Sequence, residues 1–157
     1  MAITEGEAKL AYTALQGIVG GSSAAALPPA DMASIAATEE FIFVKAVTGN
    51  VSAAAEVVAL ALPFSCKVLD VGANVKTANA NLTTLDVNKN GTTILATKLT
   101  IDGGETSSST AAAPYAFSAA AADTVFAAGD ELQFDVDNVA AGTPVDLWCW
   151  AKVRRTS

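Results

Sequence analysis

The amino-acid sequence predicts an all-β protein, an antiparallel β-sandwich of jelly-roll or immunoglobulin-like topology behind a short N-terminal arm that is partly helical or extended. Three observations predict it. Two C-terminal segments, Gly129 to Asp137 and Val145 to Arg154, alternate apolar and polar residues at a period of two, the pattern of a strand with one buried face. Glycine, proline and asparagine turns separate seven or eight short strand patterns. No regular helical pattern lies between them, which argues against a βαβ fold.

The arm comes first in the chain and covers residues 1–38, with the sandwich domain over 39–157. Between Glu5 and Val19, residues Ala8, Tyr12, Leu15 and Val19 recur at three- and four-residue spacing, which predicts a short amphipathic helix. Gly20-Gly21-Ser22-Ser23 ends it. The alanine-rich stretch to Ala37, broken by Pro28-Pro29, suits an extended segment better than a core element. Such an arm either packs on its own domain, trails free, or docks on a neighbouring subunit. In the docking case Tyr12, Leu15 and Val19 are its contact residues.

Strand patterns begin after Thr38. Phe41 to Val47 is β-branched and aromatic and runs into the turn signal Thr48-Gly49-Asn50. Glu56 to Leu62 is a second apolar run, halted by Pro63. From Ser65 to Val75, Lys67, Leu69, Val71, Ala73 and Val75 share one face and Cys66, Val68 and Asp70 the other, and polarity does not say which face is inside. Leu82 to Val87 leads through Asn88-Lys89-Asn90-Gly91 into Thr92 to Ile101, where Asn-Gly supplies the positive φ angles of a tight hairpin. Asp102 to Thr110 reads as a polar loop, and Ala111 to Ala122 as either a poor strand or a long surface loop.

Ala127-Ala128-Gly129-Asp130 then turns the chain into a strand with Leu132, Phe134 and Val136 inward and Gln133, Asp135 and Asp137 toward water. In the last strand Val145, Leu147, Cys149, Ala151 and Val153 form the inner set. That leaves Trp148 and Trp150 outside, beside Asp146, Lys152 and Arg154. The alternative reverses the faces and places the tryptophans in the core. Two outward aromatics two residues apart make an apolar stripe of a kind enriched at interfaces, and Lys152 and Arg154 give that end a local positive patch.

Composition narrows the functional classes. At 157 residues the chain can bury about two-thirds of its unfolded surface without metals or disulfides. Much of its hydrophobic fraction of 52% is alanine, and no stretch approaches the roughly 20 strongly apolar residues of a membrane helix, so no membrane partner is expected. A net charge of -7 repels nucleic acid at long range. The opening residues lack a basic region followed by an apolar core, so synthesis in a cytoplasm is expected without a secretory signal.

With no histidine, the usual neutral-pH base and commonest metal ligand are missing. No nucleophile elbow, Ser-x-x-Lys motif, phosphate loop or carboxylate pair stands out, so the sequence predicts no enzyme, no catalytic residues and no cofactor. Asp130, Glu131, Asp135, Asp137 and Asp146 match no calcium loop and read as solvated strand faces, so no metal is expected. Cys66 and Cys149 sit in strand patterns with no CxxC spacing and read as small buried hydrophobes rather than a disulfide or a reactive thiol.

The string Leu85-Asp86-Val87-Asn88-Lys89-Asn90-Gly91-Thr92-Thr93-Ile94-Leu95, followed by Ala127-Ala128-Gly129-Asp130-Glu131-Leu132 and Asp135-Val136, resembles a pattern in small structural proteins of tailed bacteriophages: head decoration, cement or head-fibre proteins. The likeness covers about residues 65 to 155 and not the arm. It implies a non-enzymatic virion protein on the capsid exterior, a homotrimer whose partner is the major capsid protein, with the arm as anchor. A rival reading from the residues is a carbohydrate-binding or host-adhesion module in which Trp148 and Trp150 stack on sugar rings. A fibre or tail subunit is the third class.

Overall fold

A computed structural model describes residues 39–156. The arm, with its helix pattern and Tyr12, Leu15 and Val19, lies outside the described residues. Among the described residues eleven strands follow one another: β1 Glu40–Asn50, β2 Ala54–Ala61, β3 Cys66–Thr77, β4 Thr83–Lys89, β5 Thr92–Thr93, β6 Leu95–Thr97, β7 Leu99–Ile101, β8 Ala116–Phe117, β9 Val125–Phe126, β10 Glu131–Val139 and β11 Val145–Arg155. The surplus over seven or eight comes from two- and three-residue pieces in the stretches Thr92 to Ile101 and Ala111 to Phe126.

Every pairing is antiparallel. One sheet has the order β1-β11-β3-β9, the other β2-β10-β4-β5 with β7 also on β4, and β6 pairs with β8. A single core lies between the two larger sheets, with Val68, Val71, Ala73, Leu147, Cys149, Ala151 and Val153 from the first and Val58, Leu85, Val87, Leu132, Phe134 and Val136 from the second. The fold is an all-β antiparallel sandwich. Each of these larger aliphatic side chains contributes about 1.5–3 kcal/mol by leaving water. Truncating one such as Leu147 to alanine costs about 2–5 kcal/mol once the cavity is counted.

The two-sided pattern of Ser65 to Val75 is explained by a bulge. Ala151 pairs with Val71 and Lys152 with Asp70, but Val153 pairs with Val68, so Leu69 is an extra residue that shifts the alternation by one. Val71, Ala73 and Val75 face the core on one side of it, Val68 and Cys66 on the other. Neither face was inside along the whole strand.

On β10, Leu132, Phe134 and Val136 are buried as their alternation requires. Gln133, expected in water, is buried at 3% exposure. Its amide is fully used: Nε2 donates to Glu56 Oε1 at 3.0 Å and Glu131 Oε2 at 3.1 Å, while Oε1 accepts from the Gly91 N–H at 2.6 Å. A polar side chain enters a buried position without penalty when its donors and acceptors are met.

Asn90 and Gly91 have φ of +50° and +80°, and Lys89 pairs with Thr92, so the predicted two-residue hairpin forms. Its return arm does not stay in register. β5 and β7 both pair with β4, and the chain between them leaves the sheet to pair as β6 with β8. Asp86, buried in β4, mends the break by accepting from Thr93 Oγ1 at 2.6 Å and meeting Lys98 Nζ at 3.0 Å.

The turn expected at Thr48-Gly49-Asn50 is instead a kink within β1. Gly49 has φ +91°, the register slips between Val47 and Asn50, and the Gly49 N–H donates to Asp146 Oδ1 at 2.7 Å. The polar and alanine-rich stretch after β7 serves as an edge cover for β3. The N–H groups of Val71, Ala73 and Val75 donate to Tyr115 Oη at 3.2 Å, Ser108 Oγ at 2.9 Å and the Thr106 carbonyl at 2.9 Å. The Tyr115 hydroxyl donates in turn to Asp70 Oδ1. That side of the sheet is closed to further pairing.

Candidate functional site

The outer face of the first sheet carries the predicted residues. On β11, Leu147, Cys149, Ala151 and Val153 are buried and Trp148, Trp150 and Lys152 lie half-buried on the opposite face. The assignment of the tryptophans outside the core therefore holds. Register places Ile42 beside Lys152, Val44 beside Trp150 and Ala46 beside Trp148, with Glu40 beside Arg154. On the other side, Gly72 pairs with Trp150 and Asn74 with Trp148.

β1 is the anomaly. It reads EFIFVKAVTGN, a long strand rich in aromatic and β-branched residues, yet none of its residues is buried. Ile42 is 64% and Val44 63% exposed on the outer face, and Phe41 is 36% exposed on the inner one. Phe41 and Phe43 rest on Phe64 with ring centroids at 5.1 and 6.3 Å, at the margin of the core. An apolar run of this kind reads in sequence as a strand covered on both faces. Strand order, which sequence does not give, puts it at the sheet edge.

Trp150 is held in place by a residue the sequence did not single out. A Cβ built on Gly72 would lie 2.7 Å from Trp150 Nε1 and nearer still to Cε2 and Cζ2. The indole therefore fills the space a side chain on β3 would need. It leans across Gly72. A glycine inside a strand marks a close approach by another group, and that is the signal by which it was findable.

The charged end of the face is an ion-paired cluster. Glu40 accepts from Lys152 Nζ at 2.5 Å and from Arg154 Nη2 at 2.7 Å. These bonds, that from Lys152 first, hold the Glu40 carboxyl below its ordinary range. Sequence reading named Lys152 and Arg154 as a positive patch, and Glu40 now neutralises part of it. The face as a whole is an apolar band, Ile42, Val44, Ala46, Trp148 and Trp150, closed at one end by this cluster.

The clustered carboxylates accept hydrogen bonds from within the fold. Asp130 accepts from Asn90 Nδ2 and the Ala127 N–H, Asp135 from Asn88 Nδ2 and the Glu56 N–H, Asp137 from Lys98, and Asp146 from Gly49. Cys66 and Cys149 are buried and unpaired with each other. Burial pushes the Cys149 thiol up to about 12 and raises Cys66 as well, far from the thiolate a nucleophile needs.

No family model matches the chain, and neither does any curated protein or solved structure.

Proposed function

We propose that this protein is a non-enzymatic structural protein of a bacteriophage virion that binds the outside of the capsid, as its resemblance to head decoration and cement proteins implies. One observation carries the protein-binding part: the outer face of β1 and β11 is an apolar band of Ile42, Val44, Trp148 and Trp150 beside paired charges. Exposed contiguous apolar surface of this sort, rimmed by charge and rich in tryptophan, marks a docking surface. The resemblance supplies the partner, the major capsid protein. Binding the assembled shell and not its separate subunits stabilises the shell by mass action.

The test is occupancy on purified heads. A double variant, Val44→Ser with Trp148→Ser, should keep its fold and lose most of its binding. Full occupancy by that variant would sink the assignment of the face. A second reading, carbohydrate binding, is favoured by one feature: the Trp150 indole is braced on Gly72, and polar Asn74 lies beside the neighbouring Trp148, which supplies a ring for sugar stacking and a hydrogen-bonding group on one face. Saturable glycan binding lost in Trp150→Ala, with no affinity for heads, would replace the first reading with the second.

A further inference from the structure

The two edges of the first sheet are treated differently. On the β3 side, the N–H groups of Val71, Ala73 and Val75 are taken by Tyr115, Ser108 and Thr106, so no strand can add there. On the other side β1 pairs with β11 alone among the described residues, and its eleven residues contain no proline. Its one lysine does not guard it. Lys45 points inward and donates to the Ala59 carbonyl of β2 at 3.1 Å, covering the edge of the opposite sheet instead. A long, largely apolar edge whose two charges, Glu40 and Lys45, are engaged within the fold is a template for strand addition, and proteins that do not use one disarm it.

We infer that the occupant is a second copy of this chain, joined through antiparallel β1–β1 pairing about a twofold axis near Phe43 and Val44, a dimer in place of the homotrimer that the resemblance implies. The charges of the strand fit this. In the register centred on Val44, Glu40 faces Thr48 and Lys45 faces Phe43. Centred on Phe43, Glu40 faces Ala46 and Lys45 faces Phe41. Neither register sets like charges opposite each other. Both faces of the seam are apolar, Ile42, Val44 and Ala46 outside and Phe41, Phe43 and Val47 inside. The contact is isologous and closes on itself as a dimer. The two outer bands then become one continuous surface.

Sedimentation velocity of the full-length chain across a micromolar concentration series tests this without any capsid, so failure to bind heads bears on the proposed function and not on the pairing. The chain should show a reversible monomer–dimer equilibrium. Val44→Lys, at a residue exposed enough to leave the fold intact by circular dichroism, should raise the dimer dissociation constant about tenfold or more. Under mild oxidation Val44→Cys, alone or mixed with Ile42→Cys, should give a cross-linked pair, because directly opposed Cβ atoms lie within disulfide reach. A chain that is monomeric throughout, or trimeric, overturns the inference. So does association unchanged by Val44→Lys. Association lost only on deleting residues 1–38 assigns the contact to that segment and overturns it too.

Discussion

The indole of Trp150 lies over Gly72, where any β-carbon would overlap it. The glycine is thus part of the outer face, since it sets the angle at which the ring is presented. Gly72→Ala should lift the indole without unfolding the sandwich, because Trp150 is half-buried and free to turn outward. The expected result is a red-shifted tryptophan emission with a stability loss of about 1–2 kcal/mol, within the ordinary range for a local clash. Unchanged emission would show that the ring does not depend on Gly72.

Tyr115 clasps the edge cover to β3 through Asp70 and the Val71 N–H. Burial first, and the bond to Asp70 second, push its phenol up to about 12. The folded protein thus holds this proton more tightly than the unfolded chain, whose phenol titrates near 10. The stabilisation is complete below about pH 10 and is lost as pH rises through about 12. The sequence has two tyrosines, so a Tyr12→Phe variant isolates Tyr115 for ultraviolet titration. A phenol titrating near 10 in the folded protein contradicts the clasp. Tyr115→Phe should cost about 1–2 kcal/mol.

Asn90 joins the hairpin to the next turn: its Oδ1 accepts from the Glu131 N–H at 2.8 Å and its Nδ2 donates to Asp130 Oδ1 at 2.9 Å. Asn90→Asp keeps the backbone preference but sets a carboxylate against Asp130. Thermal unfolding should show a deficit of about 1–2 kcal/mol at neutral pH. The deficit should shrink as pH falls through the carboxylate range and one of the pair takes a proton. A deficit independent of pH would point to lost geometry alone.

Glu40 ties the first residues of β1 to Lys152 and Arg154. Its carboxyl is held below the ordinary value, so the tie is present above the unfolded pKa and is lost as pH falls through the folded one. Amide exchange at the Glu40 end of β1 should accelerate on acidification while exchange in buried β10 stays slow. Glu40→Gln should remove the pH dependence. Equal acceleration in both strands would mean global unfolding and not release of an edge.

The sequence by itself determined the strands whose two faces differ. Period-two alternation in β10 and β11 is a direct consequence of one face leaving water, and it correctly turned Leu132 and Phe134 inward and Trp148 and Trp150 outward. The Asn90-Gly91 hairpin was equally legible, because positive φ at two consecutive residues is a local steric demand. Tertiary structure alone decided the rest. The bulge at Leu69 depends on its pairing with β11, the burial of Gln133 on Glu56 and Glu131, and the seat of Trp150 on a glycine of β3, far away in sequence and adjacent only in the sheet. Above all, β1 has the composition of a covered strand and the position of an edge. Composition records how strongly a segment avoids water, whereas the neighbour that keeps water off it is chosen by strand order, a long-range property that no local pattern encodes.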